Sequence, residues 1–319
     1  MMNNGMTSEE YVNEFIDDLY TRQFDEWPDV NGNYMRLSEV KRRNLRLGDF
    51  GCAVQCNPAR IVSTGAKTDT DSISRRKCFL CAANRPDRQL AIPMLGRWEL
   101  LVNPYPIFPV HFTIASTDHR PQASVPLDMA SMAEMSPGLA YFFNGAHAGA
   151  SAPDHLHVQA VLRCELPLVR LVEENHPADH TGFMCSEDYG LDLPFQFVSA
   201  VISPDQKGMD MLLRIHGAFG IDAATGAKDA GLVNAYFWIA DDRLLRVALV
   251  PRRRHRPELY GSGESQYLVS PGAVDMAGVI ITPRPEDFER LTADDISQIY
   301  ADVAFANRLP DEIKLYFGL

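Results

Sequence analysis

The stretch NGAHAGASAPDHLHVQA, residues 144–160, decides how the chain reads. From His155 onward it alternates: His155, His157 and Gln159 are polar, while Leu156, Val158 and Ala160 are apolar. Period two predicts a strand with the two imidazoles and the amide on one face and the apolar side chains toward the core. Upstream, Gly145 to Ser151 forms a loop of small residues, including Gly149, that can offer backbone N–H groups and a hydroxyl to a phosphate. An imidazole can attack phosphorus and form a phosphoramidate, splitting one hard displacement into two easier ones. A neutral amide such as Gln159 can donate to a phosphate oxygen without shuttling a proton. On residue types alone, two histidines on a strand also suit metal ligation.

Further upstream the pattern stays β-like over WELLVN (98–103) and HFTIA (111–115), separated by NPYPIFP. Prolines at 104, 106 and 109 forbid a central strand there and predict a stiff connector. Cys78-Phe79-Leu80-Cys81 has the spacing of a metal hairpin or a redox pair, and two more ligands would complete a tetrahedral zinc site. His119 and His155 are candidates. So are Cys52 and Cys56, although Pro58 and apolar neighbours make that segment read as a strand. A buried pair with no metal is the third reading.

These residues resemble the galactose-1-phosphate uridylyltransferase and GDP-hexose phosphorylase branch of the histidine-triad superfamily. The His-x-His-x-Gln strand and its Gly-x-Ser approach carry the likeness. CFLCAANR (78–85), LVNPYPIFPVHFTIASTDHRPQ (101–122) and, more faintly, QCNPARIVS (55–63) extend it, so that it covers about residues 54–163. The resemblance implies that His157 is the nucleophile and Gln159 the amide that steadies a nucleotidyl-histidine. It places Cys78, Cys81, His119 and His155 on structural zinc ligands. Asn103, Asn144, Gly149 and Ser151 fall where such proteins hold the sugar or phosphates, and Arg85 is a further phosphate candidate. Two departures stand out: Ala152-Pro153-Asp154 puts three residues between Ser151 and His155 where uridylyltransferases have two, and Ala82-Ala83 replaces Pro-Gly.

The implied fold is α+β, an antiparallel sheet with flanking helices in two degenerate histidine-triad halves. Residues 1–194 would hold the zinc site and catalytic strand, and 195–319 the second half. The implied activity is nucleotidyl transfer, with phosphorolysis of a nucleoside diphosphate sugar, GDP-hexose first, ahead of sugar-1-phosphate uridylyl transfer. A catalytically silent, zinc-stabilised nucleotide-binding protein is the rival outside enzymology. The partners are a nucleotide-sugar or dinucleotide substrate and a phosphate acceptor, with a homodimer as the assembly to test.

Composition reads as a soluble, acidic, cytoplasmic protein. The 319 residues are 46% apolar and carry a formal charge of −12. Such a chain has the apolar mass for a core, and its surface on average repels nucleic acid and anionic membrane. The N-terminus MMNNGMTSEEYVNEF lacks the basic start and apolar run of a secretory signal. Thr7 to Glu10 reads as a capping box opening a helix whose apolar faces pair Tyr11, Phe15 and Leu19 beside Val12, Ile16 and Tyr20, with no chemistry of its own. Residues 64–76 read as a polar loop. Thr292-Ala293-Asp294-Asp295 opens a helix toward Asn307. His119-Arg120-Pro121 returns as His255-Arg256-Pro257, an offset of 136 residues that suggests a duplication. Arg252-Arg253-Arg254 reads as a solvated turn that could instead grip phosphate, and His111 as a residue that holds structure.

Overall fold

A computed structural model describes residues 8–61, 65, 70–218 and 231–319. Thr7, and with it the predicted capping box, lies outside them. Twelve strands appear among the described residues: β1 (Lys41–Leu47), β2 (Phe50–Cys56), β3 (Ala91–Met94), β4 (Trp98–Val102), β5 (His111–Ser116), β6 (Leu139–Asn144), β7 (His157–Leu162), β8 (Gly182–Cys185), β9 (Val198–Ile202), β10 (Val233–Ile239), β11 (Leu245–Pro251) and β12 (Val279–Thr282). The helices are α1 (Ser8–Glu26), α2 (Pro28–Met35), α3 (Thr70–Arg75), α4 (Pro126–Met135), α5 (Pro167–Asn175), α6 (Gln206–Ala218), α7 (Ala273–Met276), α8 (Pro285–Arg290), α9 (Ala293–Val303) and α10 (Asp311–Phe317). The fold is therefore α+β, and no helix among the described residues is long and apolar enough to cross a membrane.

Nine strands form one antiparallel sheet in the order β3-β4-β5-β7-β6-β10-β11-β9-β8. Read from its middle, the sheet repeats itself. Outward from β6 run β7, β5 and β4, and outward from β10 run β11, β9 and β8, with a helix (α4 or α6) inserted at the same place in each chain segment. In this correspondence β11 matches β7. His119 follows β5 whereas His255 follows β11, so the two His-Arg-Pro tripeptides occupy unrelated positions and their echo is coincidental.

One face of the sheet packs Leu156, Val158 and Ala160 with Tyr141, Phe143, Ala235 and Phe237 beneath α1, α4 and α6. The other face is divided. Across β6, β10 and β11 it presents Phe142, Tyr236, Trp238, Ala248 and Val250 to a three-stranded sheet, β1-β2-β12, and to α5, α7 and α9. Across β5 and β7 the same face carries His111, Thr113, His157 and Gln159, and the candidate site lies there. Cys52 and Cys56 belong to the buried side of β2, where burial pushes the Cys52 thiol up to about 11.

Local signals place several elements. Thr292 caps α9: its Oγ1 accepts from Asp295 N at 3.1 Å while Asp295 Oδ2 accepts from Thr292 N at 2.8 Å. The helix stops at Val303, short of the expected Asn307. Pro137-Gly138 separates α4 from β6, and the polar run after residue 64 contains α3. The buried face of α1 is Ile16, Leu19, Tyr20 and Gln23, with Phe15 outside.

The connector between β4 and β5 shows how a proline-rich segment satisfies its backbone. Prolines cannot donate to a ladder, so four successive carbonyls are taken by side chains from elsewhere. Asn33 Nδ2 donates to Pro104 O (2.7 Å), Arg60 Nη1 to Tyr105 O (2.8 Å), Asn57 Nδ2 to Pro106 O (3.0 Å) and Gln55 Nε2 to Ile107 O (2.9 Å). The segment ends at His111, whose carbonyl accepts from the hydroxyls of Tyr20 and Tyr34 and whose N–H donates to Tyr20 (2.7 Å). Helix α1 thus holds the start of β5, a task that its sequence pattern did not announce.

Candidate active site and metal centre

Strand β7 delivers His157 and Gln159 to the site face, as the alternation requires. His157 is buried, and its Nδ1 stands 2.8 Å from the carbonyl of His155. A carbonyl only accepts, so Nδ1 carries the proton and the Nε2 lone pair is bare. Burial pulls the ring's pKa down to about 4, which keeps it neutral and nucleophilic near pH 7.

Gln159 is oriented by His111, its diagonal neighbour on β5. Ile107 N donates to His111 Nδ1 (3.1 Å), so His111 holds its proton on Nε2 and donates it to Gln159 Oε1 (2.9 Å). With its oxygen occupied, Gln159 presents its amide N–H groups to the other side. Burial, reinforced by the nearby Arg60 guanidinium, pulls His111 down to about 3, so the donor tautomer persists at any working pH. Residue patterning gave His111 only a structural part and passed over Arg60. The pairing depends on a neighbouring strand, so no local period reveals it.

Cys78, Cys81, His119 and His155 come together as the sequence implied. Their ligand atoms all lie within 4.8 Å of one another. Cys78 Sγ is 3.3 Å from His155 Nδ1, Cys81 Sγ 3.2 Å from His119 Nδ1, and Cys81 Sγ 3.6 Å from His155 Nδ1. Ligands on tetrahedral zinc with the usual Zn–S and Zn–N bonds stand about 3.5 Å apart, so this donor set fits the ion. His155 Nε2 faces Ser116 O at 2.8 Å, which fixes the tautomer that frees Nδ1 for a metal. The all-cysteine alternative fails, because Cys52 and Cys56 lie in the core of the small sheet, outside this cluster.

The remaining candidates are engaged with the protein. Asn103 Nδ2 donates to Thr113 Oγ1 (3.0 Å) and its oxygen accepts from Tyr105 N (2.9 Å). Asn144 Oδ1 accepts from Ala273 N (2.7 Å) and Asn234 Nδ2 (3.1 Å). Arg85 forms a half-buried ion pair with Glu99, so a phosphate would have to compete with that carboxylate. Gly149 has φ +96, and a Cβ there would stand 2.5 Å from the Cα of Gly272, so glycine permits this loop to cross another. Ser151 lies half-buried, with Arg76 Nη2 3.5 Å from its carbonyl. His147 is exposed. Arg252 corrects the solvated-turn reading: it is 2% exposed and donates to Asn234 Oδ1 and to the carbonyls of Pro271, Val303, Arg254 and His255. Only Arg253 and Arg254 face solvent.

The second half of the sheet carries a different buried network. His176 takes the Ser199 hydroxyl on Nδ1 (2.7 Å) and gives its Nε2 proton to His180 O (3.1 Å). Burial pulls His176 to about 4. Histidines held neutral in the fold bind no proton between pH 6.5 and 5, whereas the unfolded chain does. Stability attached to such groups is therefore whole above pH 6.5 and falls as pH drops toward the folded value. His111 and His176 should each remove up to about 2 kcal/mol between pH 6.5 and 5. Urea midpoints across that range should fall, and a flat profile would show that the two rings titrate normally.

Residues 19–162 match the family model described as "Domain of unknown function (DUF4922)". The structure superimposes on yeast Ap4A phosphorylase Apa2 with a TM-score of 0.57 at 14% identity, covering 88% of this chain and 97% of that one. The same enzyme in complex with Ap4A gives 0.58 at 15% identity, covering 91% and 98%, and its complex with AMP gives 0.58 at 16%, covering 91% and 97%. The fold is shared. No curated protein matches the sequence significantly. The likeness spans both halves of the sheet, whereas the family model stops at the end of β7.

Proposed function

We propose that the protein transfers a nucleotidyl group through a covalent nucleotidyl-His157 intermediate, in phosphorolysis of a nucleotide substrate. The observation that carries this reading is the pair of fixed tautomers: a bare Nε2 on a buried neutral His157, beside an amide whose oxygen is held by His111. Nε2 attacks the α-phosphorus, and the P–O bond to the leaving phosphate breaks. An oxygen of inorganic phosphate then attacks the same phosphorus, and the N–P bond breaks to return the imidazole. Gln159 N–H and the loop from Gly145 to Ser151 would bear the charge that develops on the phosphoryl oxygens. Cys78, Cys81, His119 and His155 would hold a zinc ion whose part would be rigidity alone, since all four positions would be taken by the protein.

GDP-hexose is the favoured donor from the sequence resemblance. The Apa2 likeness adds diadenosine tetraphosphate as the second reading, in which ATP would leave and ADP would form. The repeated strand order supports a degenerate second half, with β8 already begun ahead of a 194/195 division. The test is intact-protein mass after incubation with GDP-glucose, UDP-glucose and diadenosine tetraphosphate, each without acceptor. A single nucleoside monophosphate adduct, discharged by added phosphate, is expected and names the base. Absence of an adduct with every donor in folded, metal-loaded protein would favour the silent nucleotide-binding protein.

A further inference from the structure

We propose that Gln122 is a positioning residue for His157, replacing a main-chain rung between β6 and β7 at the nucleophile. This rests on the reading of His157 above. The two strands pair from Leu139 with Leu162 to Phe142 with Gln159, and the same register would next join Asn144 to His157. That rung is not made. The buried amide of Gln122 stands in the gap: its Oε1 accepts from His157 N (2.9 Å), and its Nε2 donates to His157 O (3.2 Å) and Asn144 O (2.8 Å). A side-chain amide offers the same acceptor and donors as a peptide unit, so the ladder is satisfied while the strands are held apart by the width of a side chain.

The parting occurs where it matters. On its other side, β7 is tied to β5 by Ser116 N to Leu156 O (2.9 Å). Among the described residues, both main-chain polar groups of His157 bond Gln122. Gln122 is itself anchored by its N–H to Pro153 O (3.0 Å), on the loop that leads into His155. With the backbone of His157 so fixed, its ring reaches the His155 carbonyl and keeps its proton on Nδ1. Without it, two carbonyls and an N–H lose their partners in a buried place, the turn from 155 to 157 is free to shift, and the ring loses its single tautomer.

Gln122→Met and Gln122→Glu test this in the full chain. The readouts are the ring tautomer of His157 by nitrogen NMR, and adduct formation against donor concentration. Wild type should show one Nδ1–H tautomer. Gln122→Met should show a mixture and form adduct about 100-fold more slowly, the scale of a displaced reacting group, with half-saturating donor little changed. Gln122→Glu, which keeps the acceptor but has at most one donor, should fall between. A single tautomer and a wild-type rate in Gln122→Met would overturn the proposal. If that variant does not fold, amide exchange in wild type decides: the His157 N–H should be protected although no strand partners it, and fast exchange would overturn the assignment. Mixed tautomers in Gln122→Met, with no adduct even in wild type, would retain Gln122 and remove the nucleophile reading.

Discussion

His157→Ala forms no nucleotidyl adduct and loses at least about 10⁴-fold in turnover, the scale seen when a covalent nucleophile is deleted. The fold should survive. The imidazole makes one local bond, to the His155 carbonyl, and its loss leaves a single acceptor short, worth about 1 kcal/mol. The main-chain bonds of residue 157 to Gln122 do not involve the ring and persist. Donor binding by the loop and by Gln159 should also persist, so the variant should still bind nucleotide. Intact mass, turnover and metal content measured on one preparation check these points together. Residual turnover within about tenfold of wild type would rule out covalent catalysis through this ring, because no such mechanism tolerates loss of its nucleophile so cheaply.

Cys78→Ser should lose stoichiometric zinc and at least about 3 kcal/mol of stability, since metal binding energy at such a site is folding energy. A serine hydroxyl is a poor substitute for a thiolate, and three remaining ligands leave the Cys hairpin weakly tied to the strand. The effect should extend to chemistry. His155 would hold the metal with Nδ1 and lends its carbonyl to His157, so the candidate metal site and the proposed nucleophile share one residue. Elemental analysis and thermal melting measure the first two losses. An unchanged metal content would remove Cys78 from the ligand set.

Several of these features were readable in the residues alone because they are local. Alternation gives the face of His157 and Gln159 on β7, since strand period depends only on neighbours, but His155 lies in the turn before the strand, where its ring joins the Cys78–Cys81 cluster instead. Three prolines marked the connector, and Cys-x2-Cys marked half of the Cys/His cluster that could hold a metal. What escaped depends on partners far along the chain. Arg252 resembled a surface run, yet its acceptors come from Asn234, Pro271 and Val303. Asn103 and Asn144 also hold structure: their oxygens accept from backbone N–H groups that no spacing rule predicts. Gln122 had no signature, because a side chain that bonds only main chain leaves no partner residue type to notice. The His-Arg-Pro echo failed for the opposite reason, being a sequence match without topological equivalence.

The four grips on the connector have a consequence for precision at Gln159. In a paired strand every rung resembles the next, so a segment can slip by two residues and find equivalent bonds. Residues 104–107 have no such freedom, because each carbonyl meets a different donor, from α2, from the end of β2 or from the turn after it. The segment is keyed where a strand would be zipped. Only one seating satisfies all four contacts, and that seating sets the angle at which His111 meets Gln159.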